Sequence, residues 1–189
     1  MAFATSGRSY LSRTAGEYVK TDNPLDVAVE GNAWLGMLTP SGTVYTRDGR
    51  FKMSEGGQLQ TVDGYAVLDA GGTPIQLDPN AGPPAIARDG TITQNRLQVG
   101  AIGLFHISER ANLTRFENSG VIADQPATPT IDFVHNGMRQ GFIEGANVNA
   151  VMEMTNLIMV SRAFDAIATA ITDSEANLQD AIKVLSPAG

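Results

Sequence analysis

The stretch 149–185 contains neither glycine nor proline, and this constrains the fold more than any other feature of the chain. An unbroken run of that length predicts one helix of about 55 Å at 1.5 Å per residue, longer than a small domain is wide. Asn149 suits the N-cap, because its side-chain oxygen accepts from the free amides of the first turn. Glu153 places negative charge near that end, where the helix dipole favours it. Lys183 sits in the last turn and Pro187 stops the helix soon after. Such a helix is expected to project beyond whatever the rest of the chain folds into.

Leu157, Ser161, Phe164, Ala168, Ile171, Glu175, Leu178, Ile182 and Leu185 step by alternating four and three residues, the heptad spacing of a helix packed along another helix. Burying the large apolar members would contribute roughly 9–18 kcal/mol as an upper bound, so the stripe needs a cover. The assembly interface is therefore assigned to Leu157, Ser161, Phe164, Ala168, Ile171, Leu178, Ile182 and Leu185. No second long helical pattern exists to cover it. The partner is expected outside this sequence; the alternative is that the helix folds back onto its own domain. Glu153, Arg162 and Asp165 interrupt the apolar runs, and no membrane span is expected.

The remaining sequence has a different texture. Leu25, Val27 and Val29 alternate with Asp26, Ala28 and Glu30, the period of a half-buried strand. Strands follow around Trp34 and Val44, and Asp-Gly at 48–49, 63–64 and 89–90 predicts three hairpins with type I′ turns. The run 99–107 reads as one longer apolar strand. Loop chemistry at 79–84 and 125–129 and turns every few residues complete an all-β pattern, sandwich-like or barrel-like. The expected fold is mainly β: an all-β domain of short strands and Asp-Gly hairpins followed by one long C-terminal amphipathic α-helix. The boundaries are an extended connecting segment at 1–22, a β domain at 23–145 and the C-terminal helix region at 146–189.

Charge and chemistry narrow the function. A net charge of −7 argues against nucleic acid, whose phosphates require a basic face. No cysteine is present, so disulfides, thiolate metal sites and cysteine nucleophiles are excluded. No cleavable signal is visible at the start. His106 and His135 are far apart and lack a ligand pattern. Asp48, Asp63 and Asp89 each precede glycine, and the turn role explains them. The glycine-rich spots lack the setting of a phosphate loop, and no nucleophile elbow is present. Trp34, Tyr45 and Phe51 read as cross-strand core rather than a binding patch. No catalytic residue, cofactor site or metal site is assigned.

Asn23-Pro24-Leu25-Asp26-Val27-Ala28-Val29-Glu30-Gly31 resembles the opening motif of the bacterial flagellar rod and hook proteins. Tyr45-Thr46-Arg47-Asp48-Gly49-Arg50-Phe51 resembles their next hallmark, and Gly57-Gln58-Leu59, Thr61 and Asp63-Gly64-Tyr65 the one after it. Gln140-Gly141-Phe142-Ile143-Glu144-Gly145-Ala146-Asn147-Val148-Asn149 is similar to the junction before their C-terminal helix. Glu153-Met154-Thr155 and Ser161-Arg162-Ala163-Phe164 resemble motifs within it. The motifs run in order from about 23 to 185. Arg162-Ala163-Phe164-Asp165 is more like a proximal-rod member than a distal-rod one, and the short middle region argues against the hook protein. Ala150 stands where the family often has proline.

The resemblance implies a structural subunit of the flagellar basal-body rod, exported unfolded by the flagellar export apparatus without a cleavable signal. It implies helical stacking across the periplasm and transmission of motor torque. The partners would be other rod subunits and itself through the C-terminal helix, with 23–145 as a rod/hook-type D1 domain and 146–189 as half of an axial D0 coiled-coil region. The family's N-terminal helix is not found in the sequence, which points to a shortened chain. Besides a distal-rod subunit, two alternatives stand: a β-rich adhesin or phage-tail-like module on a helical stalk, and a hydrolase in which Asp132 or Glu144 lines a cleft.

Overall fold

The computed structural model describes residues 13–185, with side chains to 178, and the chain divides into two compact units between Asn147 and Val148. The expected strand-rich region and long helix are both present. Residues 1–12 of the expected connecting segment, and the side chains of Ile182 and Leu185, assigned to the seam, lie outside the described residues.

The β unit is antiparallel throughout its described strands. Its hub is Ala33–Thr39, flanked on one side by Gly42–Thr46 and on the other by Leu104–His106 and Ala66–Val67. The sheet extends through Gly120–Ala123 and Leu113–Phe116 beyond Gly42–Thr46 and through Leu59–Thr61 and Phe51–Met53 beyond Ala66–Val67. A three-stranded sheet holds Ala85–Ile86, Thr91–Gln94 and Leu97–Ala101. Val27–Glu30 pairs with Gly137–Gln140, and Tyr18–Lys20 with Phe142–Glu144. The main core gathers Val27, Val29, Leu35, Leu59, Ile92 and Leu104. Trp34, Ile107 and Val121 form a second cluster with Tyr45 against it. Trp34 and Phe51 thus belong to separate cores, and Tyr45 packs on Phe105 with ring centroids 5.4 Å apart. The core reading of these aromatics holds, without the three forming one patch.

Four local expectations are corrected. Val27, Ala28 and Val29 are all buried, so this strand is covered on both faces rather than half-buried. The run 99–107 is two strands in different sheets, broken at Gly103, where a Cβ would meet the Asp69 backbone at 2.6 Å. Asp48-Gly49 does not turn a hairpin: Gly42–Thr46 and Phe51–Met53 pair with other strands. At Asp63-Gly64 and Asp89-Gly90 the hairpins exist, but only the glycine has positive φ. Gly64 donates to Thr61 O and Gly90 to Ala87 O, closing a turn of ordinary hand before a left-handed glycine. Among the described residues, the turn with two adjacent positive φ values is Asn95-Arg96, which carries no Asp-Gly or Asn-Gly signal.

The second unit contains the helix Ala150–Leu185, 36 residues or about 54 Å. Asn149 caps it as expected: its Oδ1 accepts from the amides of Val151 and Met152, both at 3.1 Å. Asn149→Ala should destabilise the first turn by about 1 kcal/mol, measurable as reduced amide protection at 151 and 152 in hydrogen exchange.

Candidate functional site

Two features of the structure carry the assigned seam and the sequence motifs. The first is the helix surface. Leu157, Phe164, Ile171 and Leu178 are 69, 71, 55 and 62% exposed, and Ser161 and Ala168 beside them are exposed as well. The heptad therefore lies on one solvated stripe through the described side chains. The exposed apolar surface is wider than the heptad seam. Val160 and Ile167 are also exposed and stand seven residues apart along its edge. The exposed apolar arc is thus wider than a two-position seam.

Length and composition need a correction here. The part Ala150–Leu178 includes an 18-residue window of mean hydropathy 1.2, long and apolar enough to cross a membrane by those measures alone. Three interruptions were expected to rule this out, but a window that excludes Glu153 contains only Arg162 and Asp165.

The second feature is a junction in the β unit where three of the sequence motifs meet. Gly49 O accepts from Val27 N at 2.9 Å, and Phe51 N donates to Leu25 O at 3.3 Å, joining the second motif to the first. Gln140 Nε2 donates to Pro24 O at 2.7 Å, and Gly141 N donates to Asp26 O at 2.8 Å, joining the helix-proximal motif to the first. Arg47 closes the triangle. Its Nε donates to Glu144 Oε2 at 2.7 Å, with side-chain exposures of 14 and 9%. Its remaining nitrogens donate to Gly31 O, Ala33 O and Val29 O at 2.9–3.0 Å. Glu144 Oε1 accepts from Gly16 N at 2.9 Å, which ties residue 16 to the same point.

Arg50 makes a parallel contact to Asp48, Nε to Oδ1 at 2.9 Å and Nη2 to Oδ2 at 2.6 Å. Burial works against the Asp48 carboxylate, but hydrogen bonds from Arg50 and its charge outweigh that and hold the pKa below the ordinary value. Glu30 pairs with Arg139 at 2.5 Å and with Arg88 at 3.4 Å. Arg139 also lies over the rings of Tyr18 and Phe142.

The residues that would have supported hydrolysis are not brought together. Glu144 is bound to Arg47 and lines one cavity; Asp132 is exposed, paired with His135 at 2.7 Å, and lines another. His106 is exposed at the end of its strand. Among the described residues no three His, Asp or Glu side chains form a metal-binding group. Arg47 and Glu144 each stood within a motif, but nothing local in the sequence pairs residues 97 positions apart.

A β unit laced by sequence-distant motifs and followed by an uncovered helix has the character of an assembly subunit. Comparison with known proteins agrees. The family model described as flagellar hook protein FlgE/F/G D1 domain matches residues 28–94, and the flagellar basal body rod FlgEFG protein C-terminal model matches 139–184. The flagellar basal-body rod protein FlgF of Mesorhizobium japonicum is 47% identical over 98% of this chain and 77% of the relative. That of Rhizobium meliloti is 42% identical over the same shares. FlgG of Bacillus subtilis is 33% identical over 87% of this chain and 66% of the relative. The chain belongs to the family of flagellar basal-body rod proteins.

Within that family it is FlgF-like, a structural subunit of the proximal rod, with the FlgG relatives more distant. Its place is the flagellar basal body, and its partners are among the rod and hook components.

Proposed function

We propose that the subunit assembles through its helix, whose apolar arc packs against helices of neighbouring rod subunits, including copies of itself. The observation that carries this is the exposure of Leu157, Phe164, Ile171 and Leu178 along one stripe. Ile182 and Leu185 continue the same heptad in sequence. The region 146–189 acts as the axial half and 23–145 as the outer D1-type domain, with 1–22 as the connecting segment. Stacked helically across the periplasm, such subunits carry torque through their lateral contacts, which requires large interdigitated interfaces. The chain reaches its place unfolded, through the flagellar export apparatus. Its role is mechanical and not enzymatic, and it uses no cofactor.

A membrane-spanning role for the same helix is disfavoured by Arg162 and Asp165. Each would sit near the centre of the apolar window at about 2.5–3.5 kcal/mol. In a helix bundle both can face water at the rim.

The test is sedimentation of the full chain beside a Leu157→Asp/Phe164→Asp double variant, with helicity followed by circular dichroism. The expected result is concentration-dependent association with rising helicity in the parent and a monomer in the variant. Equal association of the two, or flotation of the parent with neutral lipid vesicles, would overturn the proposal.

A further inference from the structure

A cavity of about 540 Å³ in the β unit opens beside the Arg47–Glu144 contact and is lined by four arginines, Arg13, Arg47, Arg50 and Arg115. Only two carboxylates, Asp48 and Glu144, share that lining. Both are occupied: Asp48 by Nε and Nη2 of Arg50, Glu144 by Arg47 and the Gly16 amide. Arg13 is held by neutral acceptors, donating from Nη1 to Ser108 O at 3.0 Å and from Nη2 to Ala111 O at 2.9 Å. That arrangement fixes its position without neutralising its charge. Arg115 lies exposed on the edge strand Leu113–Phe116, with no carboxylate partner among the described residues. The cleft therefore carries two arginines outside any ion pair among the described residues, one held by carbonyls and one exposed. The chain as a whole is at −7.

We propose that this cleft receives a carboxylate-bearing turn of a second copy of the chain, with Arg115 and Arg13 as its anion-binding residues. Charge complementarity selects that occupant. Outside the cleft the surface is more acidic than the net charge indicates, so copies repel one another except where this patch meets an acidic turn. Arginine provides planar paired donors that match a carboxylate. The inference extends the rod-subunit reading from the helix to the β unit and rests on it. The contact is made by residues of the β unit, separate from the helix stripe, and adds to it within one assembly.

Trp34 lines the cleft and is the only tryptophan in the chain, so its emission reports occupation directly. The experiment measures self-association of the full chain by sedimentation equilibrium, with tryptophan emission recorded across the same concentrations. The variants are Arg115→Glu, Arg96→Glu and the helix double variant. Arg96 is an exposed turn residue outside the cleft lining, so its reversal makes the same change in net charge elsewhere. Arg115→Glu is expected to weaken association about tenfold, to abolish the concentration-dependent change in emission and to remove much of the salt dependence. Arg96→Glu is expected to stay within about twofold of the parent. Equal effects of the two reversals, an unchanged Arg115→Glu variant, emission that ignores association, or a parent that stays monomeric each overturn the proposal. If the helix variant dissociates while Arg115→Glu does not, the cleft proposal falls and the helix reading stands. The converse sinks the helix reading alone.

Discussion

Arg47→Ala is expected to lower the unfolding free energy by about 3–5 kcal/mol, the range for removing one partner of a buried ion pair. The magnitude follows from what is left behind. Glu144, 9% exposed at its side chain, would keep only the Gly16 amide as a donor. The carbonyls of Val29, Gly31 and Ala33 would lose the guanidinium as well. Desolvated groups without partners cost far more than the net value of the bonds they made. Glu144→Ala should cost less, because Arg47 keeps its three carbonyl acceptors. Arg47→Lys should recover only part of the loss, since an ammonium cannot span the same fork of acceptors. Urea denaturation of the three variants gives the ordering. A loss below about 1 kcal/mol for Arg47→Ala, within the range of a surface pair, would show that the contact does not organise this junction.

Gly49→Ala is expected to cost roughly 3 kcal/mol or more, at or above the usual upper range for overpacking. Gly49 is not among the positive-φ glycines, so backbone conformation does not require it. Space does: a Cβ there would lie 1.8 Å from Val27 O and 2.8 Å from Val27 C. Both are backbone atoms of a buried strand and cannot swing aside. Relief must separate 48–51 from 25–27 and break the Val27 N to Gly49 O bond. Gly64→Ala is the comparison. There φ is +92° and nothing lies within 4 Å of the added Cβ, so only left-handed strain of about 1–2 kcal/mol applies. Thermal unfolding of both variants separates the mechanisms. Equal shifts would mean that Gly49 is a conformational and not a steric requirement.

The same Asp-Gly pair therefore does two different jobs, and this marks where sequence reading stopped. At 63–64 and 89–90 the glycine carries a left-handed conformation in a hairpin, which turn chemistry anticipates. At 48–49 the glycine makes room for another segment's backbone, which no local pattern announces. The turn Asn95-Arg96 was missed for the opposite reason: both residues adopt positive φ without glycine because the strands on either side impose it. Gly137–Gln140 was also unforeseen, since its residues show no apolar alternation and are held by pairing with Val27–Glu30.

What the sequence determined by itself was local. Absence of glycine and proline made one long helix, Asn149 began it, heptad spacing drew its stripe, and the ordered motifs indicated the rod family. These depend on composition, spacing and order along the chain, where propensity and periodicity act. Tertiary structure decided the rest. It joined Arg47 to Glu144, placed Gly49 against Val27, and gathered Arg13 and Arg115 around one cleft. Those outcomes depend on strand order and close approach between residues tens of positions apart, which desolvation and packing select only once the sheets have formed.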